Sequence, residues 1–121
     1  DGSQNDGNIE VHRHGGVIVD SESSAIAVST WTMLTLTYDG TTAKLLFNGV
    51  QVGSNAYAIN TTNNGITFGD APQGSHQFDG KLDEFSIWTR VLTANEISLL
   101  YNSGTGATVD TASAWKEKGT T

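Results

Sequence analysis

The chain has 121 residues, 36% of them hydrophobic and 16% charged, with a net charge of −7 and no cysteine. That length holds one domain with a modest core. Six Lys and Arg against thirteen Asp and Glu leave no basic run to follow a phosphate backbone or an anionic membrane, which argues against nucleic-acid partners, and the absence of cysteine rules out disulfides, a thiol nucleophile and Cys-based zinc.

The remaining balance is polar but uncharged, filled by Thr, Ser, Asn and Gly. It suits an extracellular β-rich domain with many turns. A cysteine-free domain of this kind points to a microbial or viral source. No apolar run is long enough for a transmembrane helix, so no membrane insertion is expected. The chain starts at Asp1 rather than at Met and is expected to be a processed product or part of something longer.

Residues 1–8 are polar and Gly-rich and read as a loop. IEVHRH and GVIVD, separated by Gly15-Gly16, read as two short strands joined by a tight turn. SESS then leads into AIAV, a further short strand. WTMLTLTYD, residues 31–39, carries the strongest β signal. Alternation puts Leu34, Leu36 and Tyr38 on one face and Trp31, Met33, Thr35 and Thr37 on the other. Asp39-Gly40-Thr41-Thr42 reads as a turn, and AKLLFN returns from it. Asn48-Gly49 is a strong two-residue hairpin signal, because a type I′ turn needs positive φ at both central positions. VQV follows, so residues 31–53 are predicted to be a three-stranded antiparallel meander. SNAYAINTTNN reads as a polar connection, GITFG as a short strand, DAPQGSH as a loop and residues 78–88 as a long final strand.

One helix is predicted. Thr93 at the N-cap and Glu96 at N3 make a capping box, and Leu92 and Ile97 are spaced for a hydrophobic staple. Ile97, Leu100 and Tyr101 share a face, and Gly104 stands where a left-handed C′ residue would end the helix. Residues 105–121 show no period and read as a tail or linker in which Trp115 is the one large apolar residue.

W-x-M-L-T-L-T-Y-D-G-x-x-x-x-L-x-x-N-G-x-x-V, then I-T-F-G, then F-D-G-K-L-D-E-F-S-I-W-x-R-x-L-T-x-x-E-I-x-x-L-Y, resembles the laminin-G-like (concanavalin A-like) jelly-roll family over roughly residues 9–104. The order and spacing of the pieces carry the resemblance. It implies an all-β fold, a two-sheet antiparallel jelly-roll sandwich with one short helix near the C-terminus. Residues 1–104 would form the domain and residues 105–121 a tail or linker. The resemblance implies further opening strands ahead of the region matched here, which starts part-way into the family's pattern. Those strands are expected on another segment, or the domain is minimal, or a neighbouring chain completes its open sheet edge.

Asp83 and Glu84 are the one adjacent acid pair in that C-terminal motif. On a strand, neighbours point to opposite faces. Glycosidases need two carboxylates converging from about 5–10 Å apart, and glucanases of this sandwich fold place acids at alternate positions on one face. From Asp83 the alternate positions are Phe85 and Ile87; from Glu84 they are Ser86 and Trp88. The prediction is therefore that the chain is not an enzyme. The resemblance also implies one structural Ca²⁺ held by Asp83, with Asp79 as a weaker neighbour, completed by backbone oxygens, since calcium takes six to eight ligands. The competing role for Asp83 is to accept hydrogen bonds from nearby backbone N–H groups. His12 and His14 share a strand face, but no third ligand stands near, and a solvent-facing pair is predicted. Trp31 and Trp88 are assigned to packing.

Sugar binding, a frequent use of the family, needs aromatic platforms together with amides and carboxylates. Candidates are Tyr57, Asn60, Asn63, Asn64, Asp70, Gln73, His76 and Gln77, although Asn-rich loops also satisfy their own turns. Asn60-Thr61-Thr62 fits a glycosylation acceptor. These readings combine into a non-catalytic recognition module. Its partner would be a glycan or a surface protein, in a larger extracellular, cell-surface or virion-surface protein. The alternative is a structural or decoration domain of a phage particle or surface filament, contacting neighbouring chains of its assembly.

Overall fold

A computed structural model of the chain describes residues 8–13, 16–58 and 78–107. Two antiparallel sheets make up the described fold. One is the hairpin β1 (Asn8–Arg13) and β2 (Gly16–Ala25); the other is the meander β3 (Leu34–Tyr38), β4 (Thr42–Phe47) and β5 (Val50–Ala56), in that spatial order. An α-helix, α1 (Ala94–Tyr101), lies among the later described residues. No helix among the described residues is long and apolar enough to cross a membrane.

The meander is built by its turns. Asn48 and Gly49 have φ of 52° and 82°, the double positive φ of a type I′ turn, which sets Phe47 opposite Val50. The Asn48 side chain also accepts from Met33 N–H at 2.9 Å, tying the entry of β3 to the turn. At the other end Asp39 Oδ1 accepts from Thr41 N–H, Thr42 N–H and the Thr41 hydroxyl. Those bonds, the one from Thr42 N–H foremost, hold the Asp39 carboxyl below its ordinary range.

The core lies where β2 crosses the meander. Ile18, Val19, Ala43, Leu45 and Phe47 are buried there, and Ile9, Val11, Ile26, Tyr38, Val52 and Tyr57 pack against them. Ile18 and Val19 are consecutive, yet both are buried. The ladder explains this: Val11 pairs with Val19 and His12 with Val17, so Ile18 is an extra residue, and a bulge turns its side chain inward. A second break lies between Asn8 and Glu10, where the buried Ser21 hydroxyl accepts from Ile9 N–H at 3.0 Å.

Several expectations are corrected. β3 starts at Leu34, because residues 28–30 turn and Ser29 takes φ 58°. Trp31 is accordingly exposed rather than packed. AIAV is not a separate strand; β2 runs through SESS and stops at Ala25. β5 extends to Ala56 and takes up the start of the predicted connection. Residues 78–88 form no strand: Glu84 sits at φ 51°, a left-handed conformation that breaks an extended run. The helix ends on Asn102 in the left-handed region, with Ser103 and Gly104 also at positive φ, not on Gly104 alone. GITFG, Asn60-Thr61-Thr62, His14 and Trp115 lie outside the described residues.

At the helix start the sequence reading holds. Thr93 Oγ1 accepts from Glu96 N–H at 3.3 Å and Glu96 accepts from Thr93 N–H at 2.7 Å. Leu92 and Ile97 are both buried. A feature not anticipated is Arg90, whose guanidinium grips Glu96 with two bonds of 2.8 Å. Arg90 first, then Thr93 N–H, lowers the Glu96 pKa from 4.5 to about 2. A carboxyl held low binds fewer protons folded than unfolded. It therefore stabilises the fold at neutral pH, and that contribution is lost as pH falls from about 4.5 through about 2. We expect amide exchange across α1 to accelerate selectively over that window, and Arg90→Met to shift the onset upward. Thr93→Ala should cost ~1 kcal/mol at neutral pH. Acid-insensitive α1 protection would contradict the arrangement.

Candidate functional site

A concave feature lies at the junction of the described sheets. It is a groove of ≈310 Å³ lined by Val17, Ile18, Val19, Asp20, Ser54 and Asn55. β2 supplies one wall and β5 the other. Gly53 sets their separation: a Cβ built there would stand 1.7 Å from the Asp20 carbonyl oxygen, so only a glycine admits β2 so close. Asn55 Nδ2 then donates to the Ile18 carbonyl at 2.7 Å. The groove thus presents one carboxylate, a hydroxyl and an amide beside short apolar side chains. That set can accept and donate to hydroxyl groups.

Of the residues singled out for sugar binding, Tyr57 is half-buried and packs against the core. Its carbonyl accepts from the Tyr38 hydroxyl at 3.0 Å and its N–H donates to the Thr41 carbonyl. Asn60, Asn63, Asn64, Asp70, Gln73, His76 and Gln77 lie outside the described residues.

Asp79, Asp83 and Glu84 are exposed. Asp83 Oδ1 accepts from Glu84 N–H at 2.9 Å, a local bond of the kind expected if its role is to hold backbone. Because residues 78–88 form no strand, alternation does not set Asp83 and Glu84 on opposite faces. Neither acid lines the groove. No group of three His, Asp or Glu able to hold a metal exists among the described residues. Asp79 and Asp83 alone would fall short of the six to eight oxygen ligands that calcium takes. His12 is exposed and paired with Glu10 on the same strand, as a solvent-facing residue.

The groove residues Asp20, Ser54 and Asn55 were not singled out in the sequence. Counting back from the Asn48-Gly49 turn in regular register would set Ser54 opposite Ala43. A bulge at Val52 shifts the ladder by one, so Asn55 faces Ala43 instead. Nothing local marks that shift except Gly53.

Comparison with known proteins places this geometry. Residues 2–98 match the sequence model of a laminin-G-type family described as the concanavalin A-like lectin/glucanases superfamily. Among solved structures, the chain is similar to residues 221–444 of an S-layer domain-containing protein from Clostridium thermocellum ATCC 27405. Identity is 28% and the TM-score 0.55, over 64% of this chain and 42% of that one. The chain thus spans less than half of that structure. No curated protein matches it.

Proposed function

The chain belongs to the concanavalin A-like lectin/glucanases superfamily, and from that premise we propose that it is a non-catalytic recognition module of a larger extracellular or cell-surface protein, binding a glycan or a protein surface. The observation that carries the reading is the groove between β2 and β5. It offers Asp20, Ser54 and Asn55 as polar partners, and among the described residues it holds one carboxylate, where glycoside hydrolysis ordinarily uses two. The S-layer domain-containing relative supports a surface location.

A broad glycan screen tests the proposal. Ser54 is exposed, so Ser54→Trp fills the groove without disturbing the core. It should weaken any glycan found by at least ~10-fold, the scale of one lost hydrogen-bonded contact. His76→Ala serves as the corresponding variant for the candidates between residues 57 and 77. Loss with His76→Ala alone would move the site to those residues. Silence across the screen would favour the second reading, a structural domain packed in a surface layer, filament or phage particle, which the S-layer similarity also supports.

A structural Ca²⁺ on Asp83, with Asp79 beside it, belongs to the same proposal. Ligand at a hundred times its Kd stabilises by about 2.7 kcal/mol. Melting should therefore rise by several degrees with calcium over chelator, and Asp83→Ala should erase the difference. Superimposable melts of the wild-type protein would end the calcium reading and leave Asp83 as a backbone acceptor.

A further inference from the structure

The turn between β4 and β5 joins three parts of the molecule. Asn48 lies against the entry of β3: its N–H donates to the Met33 carbonyl and its Oδ1 accepts from Met33 N–H, both at 2.9 Å. Gly49 lies against α1: a methyl built on it would touch Ile97 Cγ2 at 3.8 Å, and Ile97 is buried. The turn also sets the β4–β5 ladder, in which Phe47 faces Val50. A change to the main chain at these two residues therefore reaches the meander, the start of β3 and the helix together.

Asn-Gly is also the dipeptide most prone to spontaneous deamidation. The Gly49 main-chain nitrogen, with no side chain beside it, can attack the Asn48 side-chain carbonyl carbon. A new C–N bond closes a five-membered succinimide, the bond to Nδ2 breaks, and ammonia leaves carrying the Gly49 amide proton. Water then opens the ring at either carbonyl. One opening gives aspartate with an ordinary peptide bond; the other gives isoaspartate, whose main chain runs through Cγ. Water is consumed, ammonia is released, and no other reactant is needed. The folded turn opposes the first step. Asn48 and Gly49 have φ of 52° and 82°, and the first central residue of a type I′ turn takes ψ of about +30°. Ring closure needs a ψ that carries the Gly49 nitrogen round to the Asn48 Cγ, outside that turn. The bond from Met33 N–H also pins the amide, so the reacting atoms are kept from attack geometry.

We propose that Asn48-Gly49 is a modification site controlled by the fold: the closed turn keeps Asn48 an amide, and opening of the turn commits it to deamidation. The two products differ in what they permit. Aspartate at position 48 keeps a side-chain oxygen for Met33 N–H and tolerates positive φ, so it can rebuild the turn. Isoaspartate adds a main-chain carbon to a loop whose length fixes the register of the hairpin. Phe47 and Val50 then no longer meet, and the contacts to Met33 and Ile97 go with them. A chain that opens and reacts by that route does not refold, so the site turns a transient opening into a permanent one. This inference goes beyond the recognition reading and does not depend on whether the groove binds a glycan.

Peptide mapping by mass spectrometry tests it on the 121-residue chain, incubated in mildly alkaline buffer with and without denaturing urea. Asn64-Gly65 repeats the dipeptide and, in urea, reports the rate of the same chemistry in an open chain. Asn48 should keep pace with Asn64 in urea and should convert at least tenfold more slowly without it. Equal Asn48 rates in the two conditions overturn the proposal. So does an Asn48 that stays unconverted in urea while Asn64 reacts. After dilution from urea, size-exclusion chromatography separates refolded from unfolded chains. Aspartate at position 48 should appear in the refolded fraction, and Asn48→Asp should give the wild-type circular dichroism spectrum. Isoaspartate at position 48 should be depleted at least tenfold in that fraction; its equal presence in both fractions would overturn the proposal.

Discussion

Replacing Gly53 by alanine is expected to destabilise the protein by about 3 kcal/mol or more, the upper end of overpacking costs. The added methyl would lie 1.7 Å from the Asp20 carbonyl oxygen, 2.9 Å from its carbon and 3.3 Å from Val19 Cγ2. The obstruction is main chain, which cannot rotate aside as a side chain does. Relief requires β2 to lift from β5, which also stretches the bond from Asn55 to the Ile18 carbonyl. A fall in Tm of roughly 10 °C should accompany the loss. Gly80→Ala is the matched control. Its methyl would meet the Phe78 ring at 2.6 Å, but that ring is exposed and free to swing away, so the change should stay within ~0.5 kcal/mol. Chemical denaturation of both variants decides the matter: a Gly53→Ala protein as stable as the Gly80→Ala control would mean that the sheets do not approach at this point.

The second large effect is at Leu45. It is paired directly with Leu36, yet the two should respond differently to truncation. Leu45 is buried between β2 and the meander, and Leu45→Ala should cost ~2–5 kcal/mol through lost burial and the cavity left behind. Leu36 stands half in water, so Leu36→Ala should cost about 1 kcal/mol, in proportion to the area it hides. Equal costs at the two positions would place a further layer over β3.

What the sequence disclosed was chemistry confined to a few consecutive residues. Asn48-Gly49 demanded its turn because positive φ at both positions has few solutions. Thr93 and Glu96 marked the helix start because each satisfies the other's backbone N–H within one turn. The alternation of Leu34, Leu36 and Tyr38 correctly placed them on one face. Features set by distant contacts or by irregularity were not legible. The inward turn of Ile18 depends on a bulge whose register is fixed across the hairpin. Asn55 reaches the groove only because Val52 bulges. Arg90 grips Glu96 from outside the helix, at a spacing that no helical period singles out. Residues 78–88 alternate like a strand, but a strand needs a neighbouring ladder. No ladder adjoins them among the described residues, and Glu84 turns the backbone away. The candidate site was less legible than the fold, since its walls come from strands far apart in the chain.

That separation has a consequence for the order in which the molecule assembles. β3, β4 and β5 are joined by turns of two or three residues, so the meander can form from contacts close in sequence. The bond between Ile18 and Asn55 spans 37 residues and must await closure of a much longer loop, whose entropic cost rises with its length. The approach of β2 to Gly53 is then among the last contacts made and the first released. A lesion there should leave the folding rate nearly untouched and hasten unfolding, so that the groove opens before the meander comes apart.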